Sequence, residues 1–170
     1  YLKIFKYFLY NNRLISIILV SNQLSIDFLK ILPDLRNKIL VAHDGSSNFN
    51  KFEINEKIPF NNTFTFNVIY VGSLHPGKGM EIIKPLSSHF KEFGFHIIGG
   101  NDDEVRKYKN EFKNKNNIFL YGHISHNEIK NYIYKSDVCL LPNLPEMKIF
   151  IKKKYIEIGK YTSPLKMFEY

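Results

Sequence analysis

The residues best placed to do chemistry lie in one loop, Gly72-Ser73-Leu74-His75-Pro76-Gly77-Lys78-Gly79. Glycines let a backbone approach a ligand closely, and Lys78 adds a full positive charge. The spacing G-x-x-x-x-G-K matches a phosphate-binding P-loop, but a P-loop continues with Ser or Thr, whose hydroxyl binds the nucleotide's magnesium. Gly79 stands there instead. A P-loop NTPase also needs an Asp at the end of a later apolar strand, whereas Val138-Cys139-Leu140-Leu141 ends in Pro142. The dinucleotide fingerprint G-x-G-x-x-G is absent too, because Gly77-Lys78-Gly79 follows the loop rather than opening it. What remains is a strand, a turn and a Lys-Gly pair at a helix start. Such a start offers N–H groups and roughly half a positive charge to an anion. A plain βα turn, with glycines serving geometry alone, fits this loop equally well.

A second segment, Ser163-Pro164-Leu165-Lys166-Met167-Phe168-Glu169, adds to the first. Ser is a natural helix cap and Pro a natural first helical residue. Lys166 in the first turn opposes the helix dipole. Its presence makes sense beside a bound anion, or as a surface side chain with a solvated head. Glu169 could accept from ribose hydroxyls or simply face water.

These segments need elements to position them. Residues 1–12 mix Leu, Ile, Phe and Tyr with Lys3 and Lys6, which predicts an amphipathic helix. It packs on its own protein or, in the sharper alternative, lies on a membrane surface. Ile15 to Val20 reads as a strand, and Ser21-Asn22 caps a helix that ends at Pro33. Ile39 to Ala42 is a second strand, closed by His43-Asp44-Gly45. Residues 46–65 show no clean period and read as a linker.

From Phe66 the pattern is regular. Strands are predicted at 66–71, 95–98, 118–121 and 138–141. Between them lie a helix with Met80, Ile83, Leu86, Phe90 and Phe93 on one face, a helix from Asp102, and a helix opened by a Ser125–Glu128 capping box. Pro85 should kink or shorten the first of these. The alternation implies an α/β, Rossmann-like parallel sheet flanked by helices. The loops at Gly72, Gly99, Gly122 and Pro142 then share its carboxyl edge, where such sheets bind ligands. Residues 143–160 are Lys-rich and read as irregular.

Composition narrows the partners. The chain has 170 residues, 44% of them hydrophobic, which supports a packed core. Its net charge of +8 suits an anionic partner: nucleic acid, an acidic membrane surface or a phosphorylated small molecule. No basic recognition motif supports nucleic acid. The one cysteine, Cys139, sits in an apolar run and reads as a buried structural thiol, so an internal disulfide is excluded. Cytosol is the default compartment. No metal-ligand spacing appears among the histidines and the cysteine. The longest apolar stretch is far too short to span a bilayer.

Together these motifs resemble the retaining glycosyltransferases of GT-B fold, the large group 1 family (family 4-like). Val71 to Gly79 resembles the first loop of that family's C-terminal domain. Tyr121-Gly122-His123-Ile124, Glu128-Ile129 and Ser136 to Pro142 resemble its middle section. Ser163 to Tyr170 resembles its nucleotide-contacting helix start, and Asp44-Gly45 the turn leaving its N-terminal domain. The resemblance implies a remnant of the acceptor-side domain at 1–45, a linker at 46–65, and a donor-binding domain at 66–170, truncated at its C-terminus.

The resemblance also implies a nucleoside-diphosphate sugar as donor substrate, no cofactor and no bound metal. The acceptor would be a glycan or a lipid-linked molecule, as in cell-envelope polysaccharide synthesis, with the enzyme cytoplasmic and peripheral at the membrane. Gly72 and Ser73 would lie against the diphosphate and Lys78 would bind it. His123 and Ile124 would lie beside the base. The start Ser163-Pro164-Leu165-Lys166 would hold phosphate through backbone N–H groups, and Glu169 the ribose. Two positions depart from the family. Ser73 stands where many relatives have Arg, and Tyr161 where many have Glu, eight residues before Glu169. A non-catalytic nucleotide- or phosphate-binding α/β module is therefore the alternative. The chain starts at Tyr1 and stops at Tyr170 inside a helical pattern, so a fragment incapable of turnover by itself is expected.

Overall fold

The structure, a computed structural model, describes residues 2–45, 60, 64–144, 148–151, 154–157, 159–161, 166–167 and 170. At the N-terminus, α1 (Leu2–Leu9) buries Leu9 but leaves Ile4, Phe5, Tyr7 and Phe8 exposed. The predicted strand at 15–20 forms as β1 (Ile17–Leu19). Ser21 caps α2 (Asn22–Ile31) as its residue type predicts, the hydroxyl oxygen accepting from Leu24 N–H at 3.2 Å. Pro33 ends that helix and opens a 3-10 turn, Pro33–Lys38. β2 (Ile39–Val41) then pairs with β1 in parallel. Leu9, Leu32 and Leu35 form a small core beneath them.

The main sheet follows. Its elements are β3 (Phe66–Val71), α3 (Met80–His89), β4 (Phe93–Ile98), α4 (Asp102–Glu111), β5 (Ile118–Gly122), α5 (His126–Tyr134) and β6 (Val138–Cys139). All four strands are parallel, in the order β5-β4-β3-β6. Side chains alternate across a strand, and here both faces are covered. Val68, Tyr70, Phe95 and Ile97 pack with Met80 and Ile83 of α3 and with Tyr108 of α4. Ile69 and Ile98 pack on the other face with Tyr132 of α5. The chain steps outward from β3 through β4 to β5, then α5 returns it to the far side of β3. The order therefore reverses between β3 and β6.

Several details differ from the expectations. Phe93 belongs to β4 rather than the α3 face, since α3 stops at His89, one turn past Pro85. Phe93 instead pairs with Phe66, with ring centroids 4.5 Å apart. Ser125 does start α5, but its hydroxyl donates to Glu128 Oε2 at 2.7 Å rather than accepting a backbone N–H. The complete capping box is at α4: Glu104 N–H donates to Asn101 Oδ1 at 2.9 Å, and Asn101 N–H to Glu104 Oε2 at 3.0 Å. β6 has two residues rather than four. Within 143–160, an antiparallel hairpin replaces the irregular segment: β7 (Lys148–Ile151) pairs with β8 (Lys154–Glu157). Its lysines hide the alternation that a strand needs. Most of 46–65 lies outside the described residues, but Phe60 is buried, 4.0 Å from the His96 ring and 5.6 Å from that of Tyr132.

A buried polar network crosses three strands. His96 Nε2 donates to Asn67 Oδ1 at 2.9 Å, and the Tyr121 hydroxyl donates to His96 Nδ1 at 2.8 Å. Both ring nitrogens are thereby satisfied with the imidazole neutral. Burial pushes His96 down to about 4. Above the ordinary imidazole range neither the folded nor the unfolded chain binds this proton. As pH falls through that range only the unfolded chain takes it up, so stability drops until His96 itself is protonated. Urea unfolding at pH 5 is expected to show about 2 kcal/mol less stability from this group than at pH 7. His96→Gln should flatten that pH slope. A slope unchanged in the variant would assign the effect to other groups.

Candidate functional site

Three backbones converge where β3, β4 and β5 end. Gly72 N–H donates to Ile98 O at 2.8 Å, and Gly99 N–H donates to Gly122 O at 2.7 Å. The parallel ladder thus runs one step past the strands. Gly99 has φ of 116°, and a Cβ there would lie 2.2 Å from Gly72 O. No L-residue with a side chain fits both demands.

The convergence opens a cavity of about 430 Å³ on the carboxyl edge of the sheet. Of the residues predicted for a site, Gly72, Ser73, His123 and Ile124 all line it. His75, Gly99, Gly100, Asn101 and Glu104 join them. The β3–α3 loop is pinned over this space. The Tyr70 hydroxyl donates to Ser73 O at 2.8 Å, and burial raises its phenol above the usual range. Lys78 N–H closes a turn on His75 O at 3.0 Å. Gly77 N–H donates to Glu81 Oε1 at 2.9 Å, so a carboxylate of the first helical turn already holds one amide of the loop. His75 Nδ1 lies 2.6 Å from Glu104 Oε1.

The other predicted residues fall elsewhere. Lys78 is half-buried in the turn before α3 and is not among the residues lining the cavity. Lys166 reaches the end of β3, where its ammonium donates to Val71 O and lies 4.9 Å from the Tyr70 ring centroid. Ser163, Pro164, Leu165 and Glu169 lie outside the described residues. Tyr170, to which no role was assigned, accepts from Val71 N–H at 3.2 Å and donates to Leu140 O at 3.3 Å. Its hydroxyl bridges β3 and β6 where the strand order reverses. Tyr161 donates to Asp27 Oδ2 at 2.8 Å, and Lys160 meets the same oxygen at 3.0 Å. Lys30, then Lys160 and Tyr161, hold the Asp27 carboxyl well below its usual range.

A second cavity, about 540 Å³, lies between α5 and Tyr170 and includes Ile129, Ile133 and Cys139. Cys139 is half-buried and burial raises its thiol, as suits a structural residue. Among the described residues no group of three or more His, Cys, Asp or Glu side chains could hold a metal ion. Nor is any described helix long and apolar enough to cross a membrane.

Sequence reasoning assigned no role to His75, Asn101 or Glu104. The polar run Asn101-Asp102-Asp103-Glu104 did carry a capping signal. Nothing in one dimension shows that Glu104 reaches across to His75.

The fold defines an α/β protein with a Rossmann-like parallel sheet and a cavity at its carboxyl edge. The family model "Glycosyl transferases group 1" matches residues 50–146, more than half of the chain, and the chain belongs to that family. A search of curated proteins by sequence finds no match. Among solved structures the chain is similar to sucrose-phosphate synthase from Thermosynechococcus elongatus, with a TM-score of 0.58 and 19% identity over 84% of this chain and 38% of that one. It also matches an S. aureus TarM variant in complex with fondaparinux, α-GlcNAc-glycerol and UDP (TM-score 0.49, 18% identity, 81% of this chain and 27% of that chain). A third match is the lipopolysaccharide outer core galactosyltransferase WaaB in its apo form (TM-score 0.44, 21% identity, 76% and 37%). The chain thus spans well under half the length of each. The likeness to sucrose-phosphate synthase bears on the fold, which is of the GT-B kind.

Gly99→Ala is expected to cost about 2 kcal/mol or more, through positive-φ strain and the collision with Gly72 O. Gly45→Ala, where a Cβ meets nothing within 4 Å, is the control and should stay within about 0.5 kcal/mol. Equal urea midpoints for the two variants would contradict the close approach of the two loops.

Proposed function

We propose that this chain binds the nucleoside-diphosphate sugar donor of a glycosyltransferase that moves the sugar to a glycan or lipid-linked acceptor. The observation that carries the reading is the carboxyl-edge cavity, because the predicted diphosphate loop (Gly72, Ser73) and the predicted base contacts (His123, Ile124) line one space. Membership of the group 1 family supports it. As the bond between the sugar and the β-phosphate breaks, negative charge grows on the departing diphosphate. Loop amides, Lys78 and the helix start at Ser163, Pro164, Leu165 and Lys166 stabilise that charge without a bound metal, and Glu169 holds the ribose.

Calorimetry with UDP and GDP tests this reading. One of the two is expected to bind, and Lys78→Ala to weaken it by about 1–3 kcal/mol, the range for a charged hydrogen bond. Unchanged affinity in the variant would remove Lys78 from the site, and no binding of either nucleotide would remove the donor reading. The second reading, a non-catalytic nucleotide-binding module, is favoured by Tyr161, whose hydroxyl is engaged by Asp27. Sugar transfer by the full-length protein excludes it.

We further propose a cytoplasmic location with peripheral membrane contact through α1. Its exposed Ile4, Phe5 and Phe8 flank Lys6, the combination that inserts at an anionic lipid surface. The chain is expected to sediment with phosphatidylglycerol vesicles but not with phosphatidylcholine vesicles, and Phe5→Asp with Phe8→Asp to abolish this. Sedimentation unaffected by the double change would sink the role of α1.

A further inference from the structure

We propose that His75, oriented by Glu104, is a further cationic contact for the donor's diphosphate, in addition to Lys78. The inference deepens the donor-binding reading and rests on it. Ser73 brings no charge to the cavity, and Lys78 does not line it. His75 does line it, alongside Gly72 and Ser73.

Glu104 is held at both oxygens. Oε2 accepts from Asn101 N–H at 3.0 Å in the capping box, and Oε1 lies 2.6 Å from His75 Nδ1. The α4 start therefore fixes the carboxylate, and the carboxylate fixes the ring. A carboxylate only accepts, so Nδ1 carries a proton and donates it. Nε2 is left for a ligand. In the neutral ring Nε2 has no proton and repels a phosphate oxygen. In the imidazolium it becomes a charged donor, the stronger kind of hydrogen bond. Anion binding at this point therefore uses the ring as imidazolium, with Glu104 balancing the charge at Nδ1.

Among the described residues, Glu104 faces His75 from α4, His123 lines the same cavity from the loop after β5, and the Lys166 ammonium sits beside Gly72 at the end of β3. On its own loop and the following helix come Lys78 and Glu81, the latter already engaged by Gly77 N–H. His75 is a binding residue in this account, and Glu104 a positioning residue.

The test compares UDP and GDP at pH 6, with uridine and guanosine as phosphate-free controls. His75→Gln is expected to weaken the diphosphate about tenfold, leaving the nucleoside unaffected. Glu104→Gln keeps the capping box, where Gln also serves, but should lose several-fold on the diphosphate and nothing on the nucleoside. Ser73→Arg added to His75→Gln should restore diphosphate binding. Equal diphosphate affinity of the unaltered protein and His75→Gln at pH 6 overturns this inference alone. No binding of either diphosphate to the unaltered protein overturns the donor reading, and this inference with it.

Discussion

The approach of Gly99 to Gly72 is the contact on which the candidate site depends. Two amides extend the parallel ladder past the strands, from Gly72 to Ile98 and from Gly99 to Gly122. The loops leaving β3, β4 and β5 are thereby held edge to edge. A parallel sheet sends every such loop to the same side, but it does not by itself bring them into contact. Contact requires that a carbonyl pass where a Cβ would stand, and only glycine permits that. The cavity between Gly72, Gly99 and Ile124 is the space this contact leaves.

Around that space the backbone groups are already partly engaged. Glu81 holds an amide of the β3–α3 loop, and Glu104 caps α4. Both carboxylates favour their own helix N-termini. Both also place negative charge beside a site read as anionic-ligand binding. The net charge of +8 raises the general affinity for anions, but near the cavity the balance rests on particular side chains. Beneath the loops, His96 ties β3, β4 and β5 through Asn67 and Tyr121 with every polar atom satisfied. A satisfied network of this kind sets register rather than chemistry, since a one-residue slip would orphan each partner. Asn117 acts similarly at the opposite end of the sheet, donating to the carbonyls of Ser87, Phe90 and Phe93.

Much of the fold is legible in the chain. The apolar runs at 66–71 and 118–121 become β3 and β5 almost unaltered, and Pro33 ends α2 as its missing N–H group requires. The misreadings share a cause. Phe93 fits a helical period and a strand equally well until Phe66 pairs with it. Ser125 and Glu128 have the spacing of a capping box, yet the two side chains bond each other. The hairpin at 148–157 is masked by lysines that local pattern reads as loop. Local rules name the options, and tertiary pairing chooses among them.

For the site, residue types alone marked the β3–α3 loop as an anion candidate, because glycines, a lysine and a helix start are what an anion needs; the pair His123-Ile124 entered only through the resemblance to the family. Residue types also marked the order of strands and helices, which follows from hydrophobic period. The tertiary structure decided three further things. It set the reversal of strand order between β3 and β6, which places the loops relative to one another. It left Lys78 off the cavity lining. And it brought Glu104, 29 positions further along the chain (104 − 75), onto His75. A contact between two loops of a parallel sheet has no period and no local motif. It exists only once the strands beneath those loops are side by side.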